Sequence, residues 1–457
     1  MALSRSIFIG VVAMMCLELA FTLASAENAP AVYTDWLAVS PSPTIGSPPP
    51  VVCPAQCDCF NYRETVDCSR RNLDQIPDSL PTVVRRLYVE GNRIEDLGDG
   101  RLSATTNLSV LIVEDNQLTE LNIDALCRLT RLQELDVSGN QIQTIVTVGR
   151  CGARLTALKE LNLGHNRLSA MPANLSAMAP NLEILLLSHN EITSPMFDTS
   201  YSALSLLRHV DLSHNDFRRL RAYDLAALRS GPGRPSVEYL SLADCGLVQI
   251  DSGAFQGLDN LTSLTLSRCL VNETVLARAF ASASFRSRLL RLDISETYIT
   301  NLSVELVGSF NRLVGLFASY CDLANVDPNL FEHIPLLETL DVDGGRLERL
   351  DGVTSLTKLR RLSVHMNQLT DLSLEGIAML ETIDLSYNRL RRLSAGWLGG
   401  GGGSAGGDVQ LLNLSHNELE SIERESISHM SVISTLDLSH NRLAVFPKSV
   451  LSFAAFR

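Results

Sequence analysis

Residues 158–168 read LKELNLGHNRL and follow the pattern L-x-x-L-x-L-x-x-N-x-L. Clear copies of this pattern recur at residues 132–142, 182–192 and 380–390. When every copy is aligned on its ninth position, fifteen repeats appear, and 24 residues is their commonest spacing. Such a period is typical of a solenoid, in which each repeat buries its core against its neighbours. The ninth positions are Asn92, Asn116, Asn140, Asn166, Asn190, Asn215, Cys245, Cys269, Thr297, Cys321, Gly345, Asn367, Asn388, Asn417 and Asn441.

The apolar residues at positions four and six predict a short strand with one buried face, so that consecutive copies stack into a parallel sheet. The ninth-position Asn is expected to turn inward and satisfy backbone groups that the bend frees. Leaving such a buried group unpaired costs about 1–3 kcal/mol. Return segments such as residues 254–258 are expected to form a helical or 3₁₀ turn on the convex side. The predicted fold class is therefore α/β, a curved solenoid with a parallel sheet on its concave side.

The first residues have the features of a secretory signal peptide, assigned to residues 1–26. Arg5 is followed by an apolar segment over residues 7–20, and Ala24-Ser25-Ala26 provides a cleavage site. A retained membrane anchor is the alternative. Residues 27–52 are rich in proline and predict an extended, disordered lead-in.

The charge balance limits the class of partner. The formal net charge is −13 and no cluster of Lys or Arg is present, which argues against nucleic acid and anionic membranes. No H-E-x-x-H motif occurs, and the glycine run at residues 399–407 lacks the strand, Lys and helix of a phosphate-binding loop. We therefore expect neither an enzyme nor a bound cofactor.

Four cysteines precede the first repeat. Residues 53–59 read CPAQCDC and are followed by Cys68 and, at residues 73–77, by LDQIP. This segment resembles the N-terminal cap of extracellular leucine-rich-repeat proteins such as Slit, Toll-type receptors, chaoptin-like ectodomains and small leucine-rich proteoglycans. The resemblance extends over residues 53 to about 450. It implies a horseshoe-shaped leucine-rich-repeat solenoid, with a cap at residues 53–82 and repeats at residues 83–457.

The resemblance also implies the disulfides Cys53–Cys59 and Cys57–Cys68. The residues alone allow three connectivities, and a zinc cluster is the alternative chemistry. Cys127 and Cys151 lie in successive return segments, where we expect a further disulfide. Cys245, Cys269 and Cys321 occupy ninth positions and are expected to be buried, unpaired thiols, with an intermolecular disulfide as the alternative.

Two polar series recur within the repeats. Histidine occupies the eighth position in five copies and aspartate the fifth position in six. The histidines are expected to form a solvated rim, with metal binding or pH sensing as the alternative. The aspartates are expected to form a solvated acidic ladder or to favour a basic partner. The series are His165, His189, His214, His416 and His440, and Asp136, Asp211, Asp293, Asp341, Asp384 and Asp437.

Side chains at positions three, five and seven should point outward from the buried leucines. Most copies carry Ser, Thr or Asp there, so apolar, aromatic and arginine side chains stand out as candidate binding residues. The alternative is that they pack against one another across strands. The candidates, including one tyrosine at position eight, are Tyr88, Val110, Ile112, Ile184, Leu186, Tyr239, Arg291, Phe317, Tyr320 and Arg361.

These features predict a secreted or cell-surface protein that recognises an extracellular protein ligand or receptor through its concave face, in recognition, adhesion or innate immunity. The alternative is an extracellular-matrix protein that binds fibrils or glycans. No cysteine-rich C-terminal cap follows the last repeat, from which we expect a fragment of a longer protein or a homodimer formed through this end. Glycosylation sequons occur at Asn107, Asn174, Asn260, Asn272, Asn301 and Asn413, the last at position five.

Overall fold

The strands of the protein follow the repeats one by one. The computed structural model describes residues 53–98, 100–146, 154–394, 397–398, 409–423, 426 and 433–445. The strands in this part of the chain are β1 (Asp58–Phe60), β2 (Thr65–Asp67), β3 (Arg86–Tyr88), β4 (Val110–Ile112), β5 (Glu120–Asn122), β6 (Glu134–Asp136), β7 (Thr144–Val146), β8 (Glu160–Asn162), β9 (Ile184–Leu186), β10 (His209–Asp211), β11 (Arg219–Leu220), β12 (Tyr239–Ser241), β13 (Gln249–Ile250), β14 (Ser263–Thr265), β15 (Arg291–Asp293), β16 (Asn301–Leu302), β17 (Gly315–Phe317), β18 (Asn325–Val326), β19 (Thr339–Asp341), β20 (Arg361–Ser363), β21 (Thr382–Asp384), β22 (Arg392–Leu393), β23 (Val409–Asn413), β24 (Ser421–Ile422) and β25 (Ile433–Asp437).

Seventeen of these strands form one sheet. Strand β1 pairs with β2 antiparallel, and β2 then pairs with β3 in parallel, so the cap supplies the first two strands. Each of the fifteen predicted repeats adds one parallel strand, from β3 to β25, and the same repeat positions face each other throughout. The other eight strands pair in twos, β5 with β7, β11 with β13, β16 with β18 and β22 with β24. The predicted parallel-sheet solenoid is confirmed.

Short helices complete many of the return segments. The α-helices are α1 (Leu175–Met178), α2 (Glu273–Ala281), α3 (Val304–Val307) and α4 (Leu330–His333). The 3₁₀ helices are Asn61–Arg63, Ile123–Leu126, Thr199–Ala203, Ala226–Leu228, Ser284–Ser287 and Val353–Ser355. Residues 254–258 differ from expectation, because they form hydrogen-bonded turns between Gly253 and Gly257, whose φ angles are +83° and +85°. This left-handed backbone interrupts a helix.

The core is a column of leucine layers. In the repeat at residues 158–168, Leu158, Leu161 and Leu163 are all fully buried. Each three-residue strand typically has a buried centre flanked by half-buried residues, which leaves positions three and five on the solvent side of the sheet. We call this side the sheet face.

The ninth-position residues form a row along the chain, which we call the ladder. Its asparagines join neighbouring repeats through hydrogen bonds. Asn116 donates from Nδ2 to the Val89 carbonyl of the preceding repeat at 2.9 Å and to the carbonyls of Val113 and Glu114 in its own. Its Oδ1 accepts from the Ile94 N–H at 3.0 Å. The expected inward amide is confirmed, and one side chain satisfies backbone groups in both repeats.

The residue before each ladder position adopts a left-handed backbone. Twelve of the fifteen eighth positions hold a residue other than glycine, and these have φ between +51° and +58°. This bend turns position nine inward and aims the eighth N–H at the next repeat, as when His165 donates to the Ser188 carbonyl at 2.8 Å. Left-handed backbone costs an L-residue about 1–2 kcal/mol, which the inter-repeat hydrogen bonds offset.

Candidate ligand-binding face

The outward side chains of the sheet form two rows that run across the strands. The structure places most of the candidate residues in these rows, while Tyr320 lies just beyond the end of β17. They are mostly half-buried, because strands about 4.8 Å apart shield each side chain on both flanks. Position three contributes Val110, Ile184, Tyr239, Arg291 and Arg361, and position five contributes Tyr88, Ile112, Leu186 and Phe317.

The first apolar group lies on β3 and β4. Tyr88 is in register with Ile112, and Val110 lies two residues before Ile112 on the same face. Ile112 is only 9% exposed, less than expected for an outward residue, because Tyr88 and Asp136 flank it on either side. Tyr88 and Val110 therefore carry more of the accessible apolar surface than Ile112.

The second apolar group, Ile184 and Leu186, lies on β9, three strands further along the sheet. Strands β6 and β8 separate it from the first group and present Glu134, Asp136 and Glu160. The pKa of Glu160 is raised by burial and by the negative charges of Glu134 and Asp136. In this part of the sheet face, carboxylates on two neighbouring strands thus lie between two groups of apolar side chains.

Several acidic residues at position two, immediately before a strand of the sheet, form ion pairs with basic side chains. Glu183 forms an ion pair with Lys159 Nζ at 2.9 Å, and Glu238 forms an ion pair with Arg208 at 3.0 Å. Arg360 likewise joins Glu338 and Glu381 of the adjacent repeats. Along this second-position row, charge is largely neutralised within the chain.

Two aromatic contacts define the central part of the sheet face. The rings of His209 and Tyr239 stack at 4.0 Å between centroids. Further along, the guanidinium carbon of Arg291 lies 4.2 Å from the centre of the Phe317 ring, a cation–π contact. Gly315 makes room for this ring, since a Cβ there would lie 3.0 Å from Phe317 Cε2.

Beyond Phe317, two carboxylates lie close together on β19 and just after it. Burial and the neighbouring Asp341 raise the pKa of Asp343 to about 7. Ser363 Oγ and the His365 N–H both donate to Asp343 Oδ1 at 2.7 Å. This group adds negative charge beside Tyr320, which is exposed, while Arg361 lies exposed one strand further on.

The eighth-position histidines form stacks along one margin of the sheet. The ring centroids of His165 and His189 are 4.0 Å apart, and those of His189 and His214 are 3.9 Å apart. Burial, followed by the charges of His214 and His165, lowers the pKa of His189 to about 4. A second stack joins Tyr387, His416 and His440. In the described ranges, no group of three or more His, Cys, Asp or Glu could hold a metal ion.

The cysteines divide into bonded and buried groups. Cys53 is bonded to Cys59 and Cys57 to Cys68, the pairing that the resemblance implied. Cys127 is also disulfide-bonded, and its predicted partner Cys151 lies outside the described residues.

The ladder cysteines Cys245, Cys269 and Cys321 are free and buried, as expected. Burial raises the pKa of the Cys269 thiol to about 12, so it is unreactive at neutral pH. The Cys245 thiol donates to the Leu212 carbonyl at 3.1 Å and so replaces one inter-repeat bond of an asparagine.

Most sequons lie away from the sheet face. Asn174, Asn272 and Asn301 are exposed on return segments, whereas Asn413 belongs to β23 and donates to Asp384 Oδ2 at 3.1 Å. Residues 1–52, assigned above to the signal peptide and lead-in, lie outside the described part, as does the glycine run at 399–407. Among the described residues, none of the helices is long and apolar enough to span a bilayer.

Several residues of this face were not singled out from the sequence. Glu134, Glu160, His209 and Asp343 all contribute to its charge or aromatic surface. Glu134, Glu160 and His209 fill position three, so a search of that position for every residue other than Ser and Thr would have found them.

Comparison with known proteins agrees with this architecture. The family model described as leucine rich repeat matches residues 82–142, 156–217 and 404–443, and that of the leucine rich repeat N-terminal domain matches residues 52–81. The chain thus contains leucine-rich repeats and an N-terminal cap domain of the leucine-rich-repeat type.

Among curated proteins, the chain is similar to podocan-like protein 1 of Mus musculus. The two are 28% identical over 324 residues, which cover 65% of this chain and 55% of that protein. Human lumican is 24% identical, over 75% of this chain and 81% of lumican. The chain thus spans little more than half the length of the first of these relatives.

Solved structures share the fold. A leucine-rich-repeat protein of Leptospira interrogans superposes with a TM-score of 0.62 at 20% identity, covering 86% of this chain and 88% of that one. Drosophila Toll, in its complex with Spatzle, gives a TM-score of 0.58 at 19% identity, covering 81% of this chain and 49% of Toll.

Proposed function

We propose that this chain is an extracellular recognition protein that binds a protein ligand or receptor through its sheet face, in adhesion or innate immunity. The observation that carries the proposal is the set of half-buried apolar and aromatic side chains at position five, where nine of the fifteen repeats carry Ser, Thr or Asp. Tyr88, Leu186 and Phe317 are clear examples. Such anchors are typical of binding hot spots.

Two further features support extracellular recognition. The capped N-terminus has two disulfides, which persist in oxidising compartments. The Toll–Spatzle complex, at 19% identity, is a precedent for protein binding by this fold.

The experiment is an interaction screen in which the mature chain, multimerised for avidity, is tested against a panel of extracellular domains. For each partner found, Tyr88→Ala, Ile112→Ala, Leu186→Ala and Phe317→Ala are then compared with Tyr223→Ala, whose exposed side chain lies on a return segment. We expect at least one sheet-face variant to weaken binding more than fivefold, or about 1 kcal/mol. Wild-type affinity in all four would place the site elsewhere.

We place the ligand site on the N-terminal and central part of the sheet face because of Asn413. A glycan on this residue would project from β23 and hinder close protein contact with the C-terminal third of the sheet. Glycopeptide mapping of secreted material should find Asn413 occupied. An unmodified Asn413 would remove this reason for excluding the C-terminal strands.

The second candidate is a matrix protein that binds fibrils or glycans. It is supported by similarity over 75% of the chain to lumican, a small leucine-rich proteoglycan. Binding to fibrillar collagen or to heparin-coated beads would favour this role. The acidic character of the sheet face predicts that a sulfated glycan would bind elsewhere on the chain.

A further inference from the structure

Four neighbouring strands, β4, β6, β8 and β9, carry an ordered pattern of side chains on the sheet face. Apolar residues on β4 and β9 enclose carboxylates on β6 and β8. We call this group the N-terminal patch. It comprises Val110, Ile112, Glu134, Asp136, Glu160, Ile184 and Leu186.

We propose that the N-terminal patch binds a basic polypeptide segment in which a lysine or arginine lies between two apolar residues. This inference rests on the proposed function and specifies the chemistry of its protein ligand. The observations that carry it are the apolar flanks, the unpartnered sheet face between them and the carboxylates at its centre.

The carboxylates at the centre lack a cation. Among the described residues, no Lys, Arg or His forms an ion pair with Glu134 or Glu160, and no side chain donates a hydrogen bond to either. Glu183, one strand away and just outside the patch, is paired with Lys159. The negative charge of the patch is therefore not neutralised within the described chain, and a cationic side chain would complement it.

Asp136 has a different role in the patch. Its Oδ1 accepts from the Ser138 N–H and Oγ, and its Oδ2 accepts from Asn162 Nδ2 at 2.9 Å. Because these bonds hold its carboxylate in place, Asp136 supplies fixed negative charge. Glu134 and Glu160 are left to contact the ligand.

The spacing of the apolar flanks sets the length of the segment. Three strand steps of about 4.8 Å separate β4 from β9, or roughly 14 Å. An extended polypeptide rises about 3.3 Å per residue, so about four residues cover this distance. Apolar residues at positions i and i+4 would then contact Val110 and Leu186, and a basic residue at i+2 would lie over the carboxylates.

The test uses synthetic biotinylated peptides bound to fluorescent streptavidin, which raises a weak affinity through four copies. The probe GSLGKGLSG has the proposed order of side chains. Its controls are GSLGEGLSG, in which the charge is reversed, and GKSLLGGSG, in which the order is permuted. Fluorescent heparin tests a sulfated glycan as the occupant instead. Binding to the glycosylated chain is measured at low and at physiological salt.

We expect GSLGKGLSG to bind at least tenfold more tightly than either control peptide, and heparin not to compete. The double variant Glu134→Gln/Glu160→Gln should lower the apparent affinity tenfold or more and reduce its salt dependence, with Asp136 as the remaining charge of the patch. The matched control Glu183→Gln/Glu238→Gln removes two negative charges that are already paired, so its affinity should stay within twofold of wild type. Leu186→Ser should also weaken binding.

Three results would overturn the proposal: no binding of any peptide, equal binding of the permuted peptide, or wild-type affinity in the Glu134→Gln/Glu160→Gln variant. Competition by heparin would identify an anionic glycan as the occupant. These results would not contradict the proposed function, because that function is tested by the affinity of a natural partner for the sheet-face variants. If that partner loses affinity for Phe317→Ala but the peptides do not bind, recognition by the sheet face stands and the basic segment does not.

Discussion

The side chain of Asn140 makes four hydrogen bonds within the ladder. Nδ2 donates to the carbonyls of Val113, Val137 and Ser138, and Oδ1 accepts from the Leu118 N–H. Asn140→Ala leaves these buried groups unpaired, so we expect a loss of about 2–3 kcal/mol in the free energy of unfolding. The midpoint of urea denaturation measures this loss.

Asn140→Cys is the matched control, because Cys245 and Cys269 keep the bond to the preceding repeat through their thiols. Its midpoint should lie between those of wild type and Asn140→Ala. If Asn140→Ala unfolds at the wild-type urea concentration, the amide ladder does not hold neighbouring repeats together.

Asp343 makes stability depend on pH. Its pKa in the folded chain, about 7, exceeds the ordinary value of 3.8. Its contribution to stability is therefore fully present below about pH 4 and is lost as the pH rises towards 7. Asp343→Asn should stabilise the chain at pH 8, by about 1–2 kcal/mol after allowance for solvent screening, and change little at pH 4.

Thermal denaturation at the two pH values tests this, with Asp437→Asn as a control of opposite sign. Hydrogen bonds from Ser439 lower the pKa of Asp437, so its charge stabilises the fold at neutral pH. Asp437→Asn should lower the melting temperature at pH 8. A lower melting temperature for Asp343→Asn at pH 8 would contradict the account of Asp343.

The predictability of single residues depends on whether their environment is set within one repeat. The buried leucines and the inward asparagines follow from the pattern alone, because each repeat imposes the same surroundings. The burial of Ile112 and the unpaired charge of Glu160 depend on which side chains lie beside them. These neighbours come from adjacent repeats of unequal length, so no fixed offset in sequence reveals them.

At the scale of the element, the left-handed bend at position eight can be tested at Met366. Its φ is +52°, and its side chain is exposed. Met366→Gly removes the strain and should be neutral or stabilising by up to about 1 kcal/mol, whereas Met366→Val should cost about 1–2 kcal/mol. Equal denaturation midpoints for the two variants would show that the bend is not strained.

The cap gives a second prediction at this scale. Cys68 is fully buried within the core, and its bond to Cys57 fixes β2 as the strand on which β3 is stacked. Cys57→Ser/Cys68→Ser should destabilise the chain by about 2–5 kcal/mol and expose apolar core to a fluorescent hydrophobic dye. Cys53→Ser/Cys59→Ser, which removes a partly exposed disulfide, should have the smaller effect. The reverse order would contradict this role.

At the scale of the whole molecule, the repeat pattern predicts the sheet, its parallel register and the position of its outward rows. It does not predict the ligand, because the same framework accepts many side chains at positions three and five. The proposed site depends instead on side chains that differ from the commonest residues at these positions, such as Arg291 and Phe317, which contact each other beside Gly315.

A glycan placed on the sheet face would block recognition of a protein partner through that face. Ser263→Asn creates the sequon Asn-Leu-Thr on β14, in register between Tyr239 and Arg291. The control Ala203→Asn creates Asn-Leu-Ser at the end of the 3₁₀ helix Thr199–Ala203, on a return segment. With occupancy of both sites verified by intact mass, affinity for the extracellular partner is the measurement. We expect the Ser263→Asn glycoprotein to lose binding and the Ala203→Asn glycoprotein to keep it. Wild-type affinity in fully glycosylated Ser263→Asn would contradict recognition through the sheet face.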